Sequence, residues 1–196
     1  MTASGCWAAS TPTRLARGNL ASSYWQAGRT GEAIAIQEQV AADSERLLGG
    51  DHPDTLTARA NLAASYRQAG RTGEAIAIQE RVLADRERLL GDEHPSTLTA
   101  RVNLAASYRQ AGRTGEAIAL LEQVVADRER ILGGDHPDTL TARANLATSY
   151  GQAGGTGEAI ALLEQVVADR ERLLGGDHPD TLTARTALSE WQALEY

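Results

Sequence analysis

The chain contains no lysine and no phenylalanine, and in 196 residues it has one cysteine, one methionine and five prolines. Without lysine there is no amine for a Schiff base and no ammonium to clamp a phosphate, so all basic charge is arginine. The lone Cys6 permits no intramolecular disulfide, which fits a reducing, cytoplasmic setting. Positive charge is also short: the formal net charge is -7. A general phosphate-binding surface needs clustered basic residues, so nucleic acid is not expected as a partner. No stretch approaches the roughly 20 consecutive apolar residues of a membrane span, so no membrane partner is expected either. The first ten residues, MTASGCWAAS, have neither a positive n-region nor an apolar run. No secretory signal is therefore expected, and Ala3-Ser4-Gly5-Cys6 lacks the hydrophobic segment that a lipoprotein box requires.

What the chain has in abundance is itself. The stretch His52 to Gly91, HPDTLTARANLAASYRQAGRTGEAIAIQERVLADRERLLG, recurs from His94 and His136 and begins again at His178, a spacing of forty-two residues. Residues 93–134 and 135–176 differ at only seven positions. Asn19-Leu20, Tyr24, Gly28 and Gly31-Glu32-Ala33 extend the register backwards, although Ser10-Thr11-Pro12-Thr13 replaces the His-Pro-Asp-Thr opening. A fixed period of this size marks a solenoid, whose units bury their apolar faces only against their neighbours. The expected organisation is a disordered leader over 1–12, a degenerate first repeat over 13–50, repeats over 51–92, 93–134 and 135–176, and a capping helix over 177–196. Trp191, Leu194 and Tyr196 depart from the pattern in that last helix, as a cap facing water should.

Each unit reads as two helices. Pro53 suits a first helical position and Asp54 complements the positive end of the dipole. The first helix is expected to run to about Ala69, with Leu56, Ala63, Tyr66 and Ala69 at helical spacing. Gly70 then ends it and Arg71-Thr72-Gly73 makes a tight turn. A second helix is expected from about Gly73 to Leu90, with an apolar stripe of Ala75, Ile78, Val82, Leu89 and Leu90, and with Asp85, Arg86, Glu87 and Arg88 mostly on the wet side.

Leu62-Ala63, Tyr66, Gly70 and Ala75 stand at the spacings of the tetratricopeptide signature and recur in all four units. The chain thus resembles the tetratricopeptide-repeat family. Its period, the His-Pro-Asp-Thr opening, Gly-Arg-Thr-Gly-Glu-Ala and the closing Arg-Leu-Leu-Gly look like the forty-two-residue variant of kinesin light chains and bacterial repeat proteins. The resemblance implies an all-α, right-handed α-solenoid of antiparallel helix pairs. Two departures stand out: Arg59 and Arg101 occupy the usual tryptophan position, and Gln37 and Gln79 an aromatic one.

In that family the first helices line a concave groove, which implies that Thr57, Asn61, Ala64, Arg67 and Gln68 and their equivalents face it. The candidate peptide-binding residues are therefore Asn19, Asn61, Asn103 and Asn145; Gln68, Gln110 and Gln152; and Trp25, Arg67 and Arg109. An asparagine amide both donates and accepts, so a row of them can hold the backbone of an extended peptide. Trp25 would anchor one end, and Arg67 and Arg109 would take acidic side chains. Each has a second reading: the asparagines as glue between adjacent repeats, the arginines as solvated or paired groups, and Trp25 as packing for the leader near Trp7. The tyrosines Tyr24, Tyr66, Tyr108 and Tyr150 read as core.

One histidine per unit leaves His52, His94, His136 and His178 roughly 10 Å apart, too far to share a zinc ion with ligands near 2 Å. They read as loop and helix-start residues, and no metal or cofactor is expected. Arg81, Asp85 and Arg88 suit surface bridges rather than acid–base work. No enzyme activity is expected. The favoured function is a protein-interaction scaffold for a protein or peptide partner. Two alternatives are a head-to-tail homo-oligomer through terminal repeats, and, as the resemblance implies, the sensor portion of a larger bacterial ATPase regulator.

Overall fold

A computed structural model describes residues 20, 21, 23, 24 and 27–194. The expectations for the leader 1–12, and for Asn19, Trp25, Gln26 and Tyr196, lie outside the described residues. Eight helices follow one another without a strand among the described residues: α1 Thr30–Leu48, α2 Pro53–Gln68, α3 Thr72–Leu90, α4 Pro95–Gln110, α5 Thr114–Leu132, α6 Pro137–Gln152, α7 Thr156–Leu174 and α8 Pro179–Ala193. None of them is long and apolar enough to cross a membrane. Two compact units divide the chain at residues 1–100 and 101–196, the boundary falling within α4.

The His-Pro dipeptide starts the helices. A residue before proline is pushed out of the helical region, and His52 sits accordingly at φ -68 and ψ 137. That backbone is the one an N-cap requires, and the imidazole Nδ1 accepts from the Asp54 N–H at 3.1 Å. His94, His136 and His178 accept from Ser96, Asp138 and Asp180 in the same way, at 3.1, 3.1 and 3.2 Å. Each histidine is thus occupied at the start of its helix. At the other end, Gly70 adopts φ +76 while the Arg71 N–H donates to the Tyr66 carbonyl at 2.8 Å, so three residues reverse the chain into α3.

In the first unit, the contacts between α1 and α2 run in opposite directions. Arg59, early in α2, meets Glu45 late in α1, whereas Ser65 and Tyr66 at the far end of α2 meet Gln37 and Glu38. The helices are therefore antiparallel. Ile34, Ala41, Ala58, Leu62, Tyr66 and Ala75 form the core, with Val40, Ala69 and Ile78 against it. The second unit repeats the scheme, with Arg143 on Glu129 and Tyr150 on Glu122 between α6 and α5. Leu121, Val124, Leu140, Leu163 and Val166 are fully buried there, and Val167 and Ala184 join α7 to α8.

The second helices differ from expectation at their last turns. In α3 the buried stripe is Ala75, Ile76, Gln79, Val82, Leu83 and Arg86, whereas Leu89 and Leu90 are 40% and 43% exposed. Arg86 takes the buried place because its Nη1 donates to the Ser96 carbonyl in the first turn of α4, at 2.9 Å. Arg128 and Arg170 do the same to Asp138 and Asp180 at 2.8 and 2.9 Å. Hydrophobicity alone sends arginine to the wet side. A guanidinium with a carbonyl to bond can instead be buried along its aliphatic stem. Burial holds the Arg86 and Arg128 guanidinium pKa values below the ordinary arginine range.

Candidate functional site

The first helices carry the candidate residues. In α2, Thr55, Leu56, Ala58, Leu62, Ala63, Ser65 and Tyr66 are buried, which leaves positions 57, 61, 64 and 68 along one face. Thr57, Asn61 and Gln68 are exposed and Ala64 is half-buried. In α4 Asn103 and Gln110 are exposed, and in α6 Gln152 is exposed while Asn145 is half-buried. Among the described residues the side-chain amides of Asn61, Asn103 and Asn145 have no hydrogen-bond partner. Arg67 and Arg109 are half-buried, and both, like Gln110, are engaged with other groups. Asn19 and Trp25 lie outside the described residues.

Thr57, Thr99 and Thr141 turn their hydroxyls back to the carbonyls of Pro53, Pro95 and Pro137 at 2.9, 2.8 and 2.8 Å. Their donors are used within the helix, and the Thr141 hydroxyl also accepts from the Arg170 guanidinium at 3.5 Å. Among the described residues the amides of the asparagines are therefore open polar groups of this face, as are those of Gln68 and Gln152.

Three arrangements escaped the sequence reading. In the first, Arg71 lies over the Tyr66 ring, 4.1 Å from its centroid, and pairs with Glu74 through Nε at 2.5 Å. Arg29 on Tyr24 and Arg113 on Tyr108 match it at 4.4 and 4.1 Å. The paired arginine holds the carboxyls of Glu32, Glu74 and Glu116 below the usual carboxylate range. Gly155 stands at the fourth arginine position, leaving Tyr150 without a cation. The Tyr150 hydroxyl donates to the Glu122 carboxylate at 2.6 Å, and this bond, then burial, pushes its pKa up to about 12. Tyr66 is raised too, by burial first and by Glu38 second, with Arg71 opposing.

In the second arrangement, the arginine at the tryptophan position spans two helices. Arg59 meets Glu45 of α1 at 2.9 Å and Asp85 of α3 at 3.6 Å. Arg143 meets Glu129 of α5 at 2.7 Å and Asp169 of α7 at 3.4 Å. Gln37, at an aromatic position, accepts from the Ser65 hydroxyl at 2.6 Å. Polar pairs thus replace aromatic packing. The recurrence of Arg with Glu and Asp at fixed offsets was the signal for it.

The third joins Gly151 of α6 to Trp191 of α8. A Cβ built on Gly151 would lie 2.5 Å from Cζ2 of the indole and 2.6 Å from Cε2 and Cη2.

No group of three or more His, Cys, Asp or Glu residues able to hold a metal occurs among the described residues. The open chemistry of the site is hydrogen bonding by neutral amides.

The tetratricopeptide-repeat profile matches residues 13–88, 61–130 and 103–172. The chain belongs to the tetratricopeptide-repeat family, an all-α helical-repeat fold of the solenoid class. No curated protein matches. Among solved structures, the chain is similar to a Podosopora anserina protein of nearly identical TPR-like repeats assigned to the kinesin light chains. Identity is 37%, the match covers 90% of this chain and 83% of that one, and the TM-score is 0.79. A single-substitution variant of that protein gives 37% identity, 93% and 86% coverage and a TM-score of 0.82. BtubC (BKLC) from P. vanneervenii shares the fold at 22% identity, with 85% and 66% coverage and a TM-score of 0.72. Tetratricopeptide repeats generally mediate protein–protein interaction, and proteins of this kind are typically non-enzymatic scaffolds.

Proposed function

We propose that this protein is an interaction scaffold whose first helices receive an extended peptide or protein segment in a concave groove, with the asparagines gripping the peptide backbone. The observation that carries the reading is the set of amides at Asn61, Asn103 and Asn145, without a hydrogen-bond partner among the described residues, which recur at one position of the first helices. An amide that bonds to nothing within the protein keeps both its donors and its acceptor for a ligand. A peptide main chain offers matching groups at every residue, so such a row holds sequence loosely and conformation firmly. Specificity then falls to neighbouring side chains.

The test is a peptide-library selection on the wild type and on the Asn61→Ala, Asn103→Ala, Asn145→Ala variant, once circular dichroism shows equal helicity. Enrichment of a shared motif by the wild type and its loss by the variant is the expected result. If neither protein enriches a motif, the face is not a ligand surface and head-to-tail assembly takes its place.

A further inference from the structure

At the end of the second unit the polar pattern of the first helices changes at three positions. Gly151 stands where Arg67 and Arg109 occur, Trp191 where Ser149 occurs one period earlier, and Ala187 where Asn145 occurs. The first two changes meet in space. The six-membered half of the indole rests on Gly151 so closely that any Cβ there would overlap it. An arginine at 151 and a tryptophan at 191 exclude one another in this packing. Gly151 is buried and Trp191 half-buried, so the ring covers the glycine and leaves part of its own surface in water.

The positions one turn before Gly151 and before Trp191 offer no open donor. Thr148, at the position of Ala64 and Ala106, donates its hydroxyl to the Ala144 carbonyl at 2.9 Å and so keeps no open donor. Ala187 removes an amide. A flat aromatic surface, held from below by backbone, thus covers the position at which α2 and α4 carry arginine.

We propose that Trp191, laid over Gly151, is an aromatic subsite that takes a bulky aliphatic or aromatic side chain of the bound peptide. This rests on the reading of the first-helix face given above, and it names what that face selects at one end. Aromatic surfaces held rigidly in place are strong anchors because little conformational freedom is lost on binding. The peptide therefore carries an apolar residue where it reaches α6 and α8.

The peptide selection decides the matter when repeated on Gly151→Arg, Trp191→Ser, which restores the residue types of α4. The expected wild-type motif has one fixed bulky apolar position. The double variant should keep the rest of the motif and lose that preference. A wild-type motif without an apolar position, or an apolar preference that survives in the variant, overturns the subsite and leaves the groove reading standing. Absence of any motif overturns both. Should the double variant fold poorly, Trp191 reports for itself in a Trp7→Phe, Trp25→Phe background. Adding the peptide recovered from the wild-type selection should shift its emission to the blue and reduce acrylamide quenching at least twofold. Unchanged emission at saturating peptide removes Trp191 from the site.

Discussion

Tyr150 shows how one missing neighbour alters a residue's chemistry. Tyr66 has Arg71 over its ring and Glu38 at its hydroxyl, two charges of opposite effect. Tyr150 has only carboxylates acting on it, Glu122 at its hydroxyl and Glu158 more weakly, since Gly155 stands where the other repeats carry the arginine, and its pKa rises to about 12. The folded value is thus above the ordinary phenol value of about 10. Stabilisation from this bond is complete below about pH 10 and is lost as pH rises through about 12, because the unfolded chain releases the proton first. Urea denaturation stepped from pH 8 to pH 12 should show stability falling across that upper window. Tyr150→Phe should be less stable at pH 8 and fall less steeply. Equal slopes for the two proteins would remove Glu122 as the cause.

At the level of helices, most of the fold was legible in the sequence. His-Pro set the starts of α2, α4, α6 and α8 and Gly70 the turn, because these rest on backbone rules that act within a few residues. The buried ends of the second helices were not legible. Arg86 looks solvated by composition, and only the carbonyl of Ser96 in the following helix makes its burial favourable. Of the candidate site, the exposure of Asn61, Asn103 and Gln68 follows from helical spacing. The meeting of Gly151 with Trp191 does not, since it depends on how α8 lies on α6. This contact gives a prediction that belongs to the helix pair. Gly151→Ala should destabilise by about 1–3 kcal/mol, as overpacking does. In a Trp191→Ser background the same change should be neutral or slightly stabilising, because alanine is the better helix former. Thermal or urea unfolding of the four proteins closes the cycle, and additive effects would mean that the ring and the glycine do not touch.

For the whole molecule, an array's stability is the sum of what each repeat contributes and what joins it to its neighbours. The two kinds of contribution fall here on different residues. Histidine caps act within one helix, whereas Arg59, Arg143 and Arg185 tie helices together, the last through Glu171 of α7 at 2.7 Å. A lysine keeps the charge but offers a single point, where the planar guanidinium spans two carboxylates at Arg59 and Arg143 and a carboxylate and the Gly176 carbonyl at Arg185. Replacing the three arginines by lysine leaves the net charge at -7, so any loss reports geometry rather than charge. It should weaken the joints and make urea unfolding less steep, as units begin to unfold separately. His52→Ala, His136→Ala, His178→Ala should instead cost about 1 kcal/mol per helix and move the midpoint with little change in slope. Circular dichroism of both triple variants across a urea series separates the two effects. If both lose stability at unchanged slope, the arginines are ordinary surface pairs, and the array is held together by its apolar core alone.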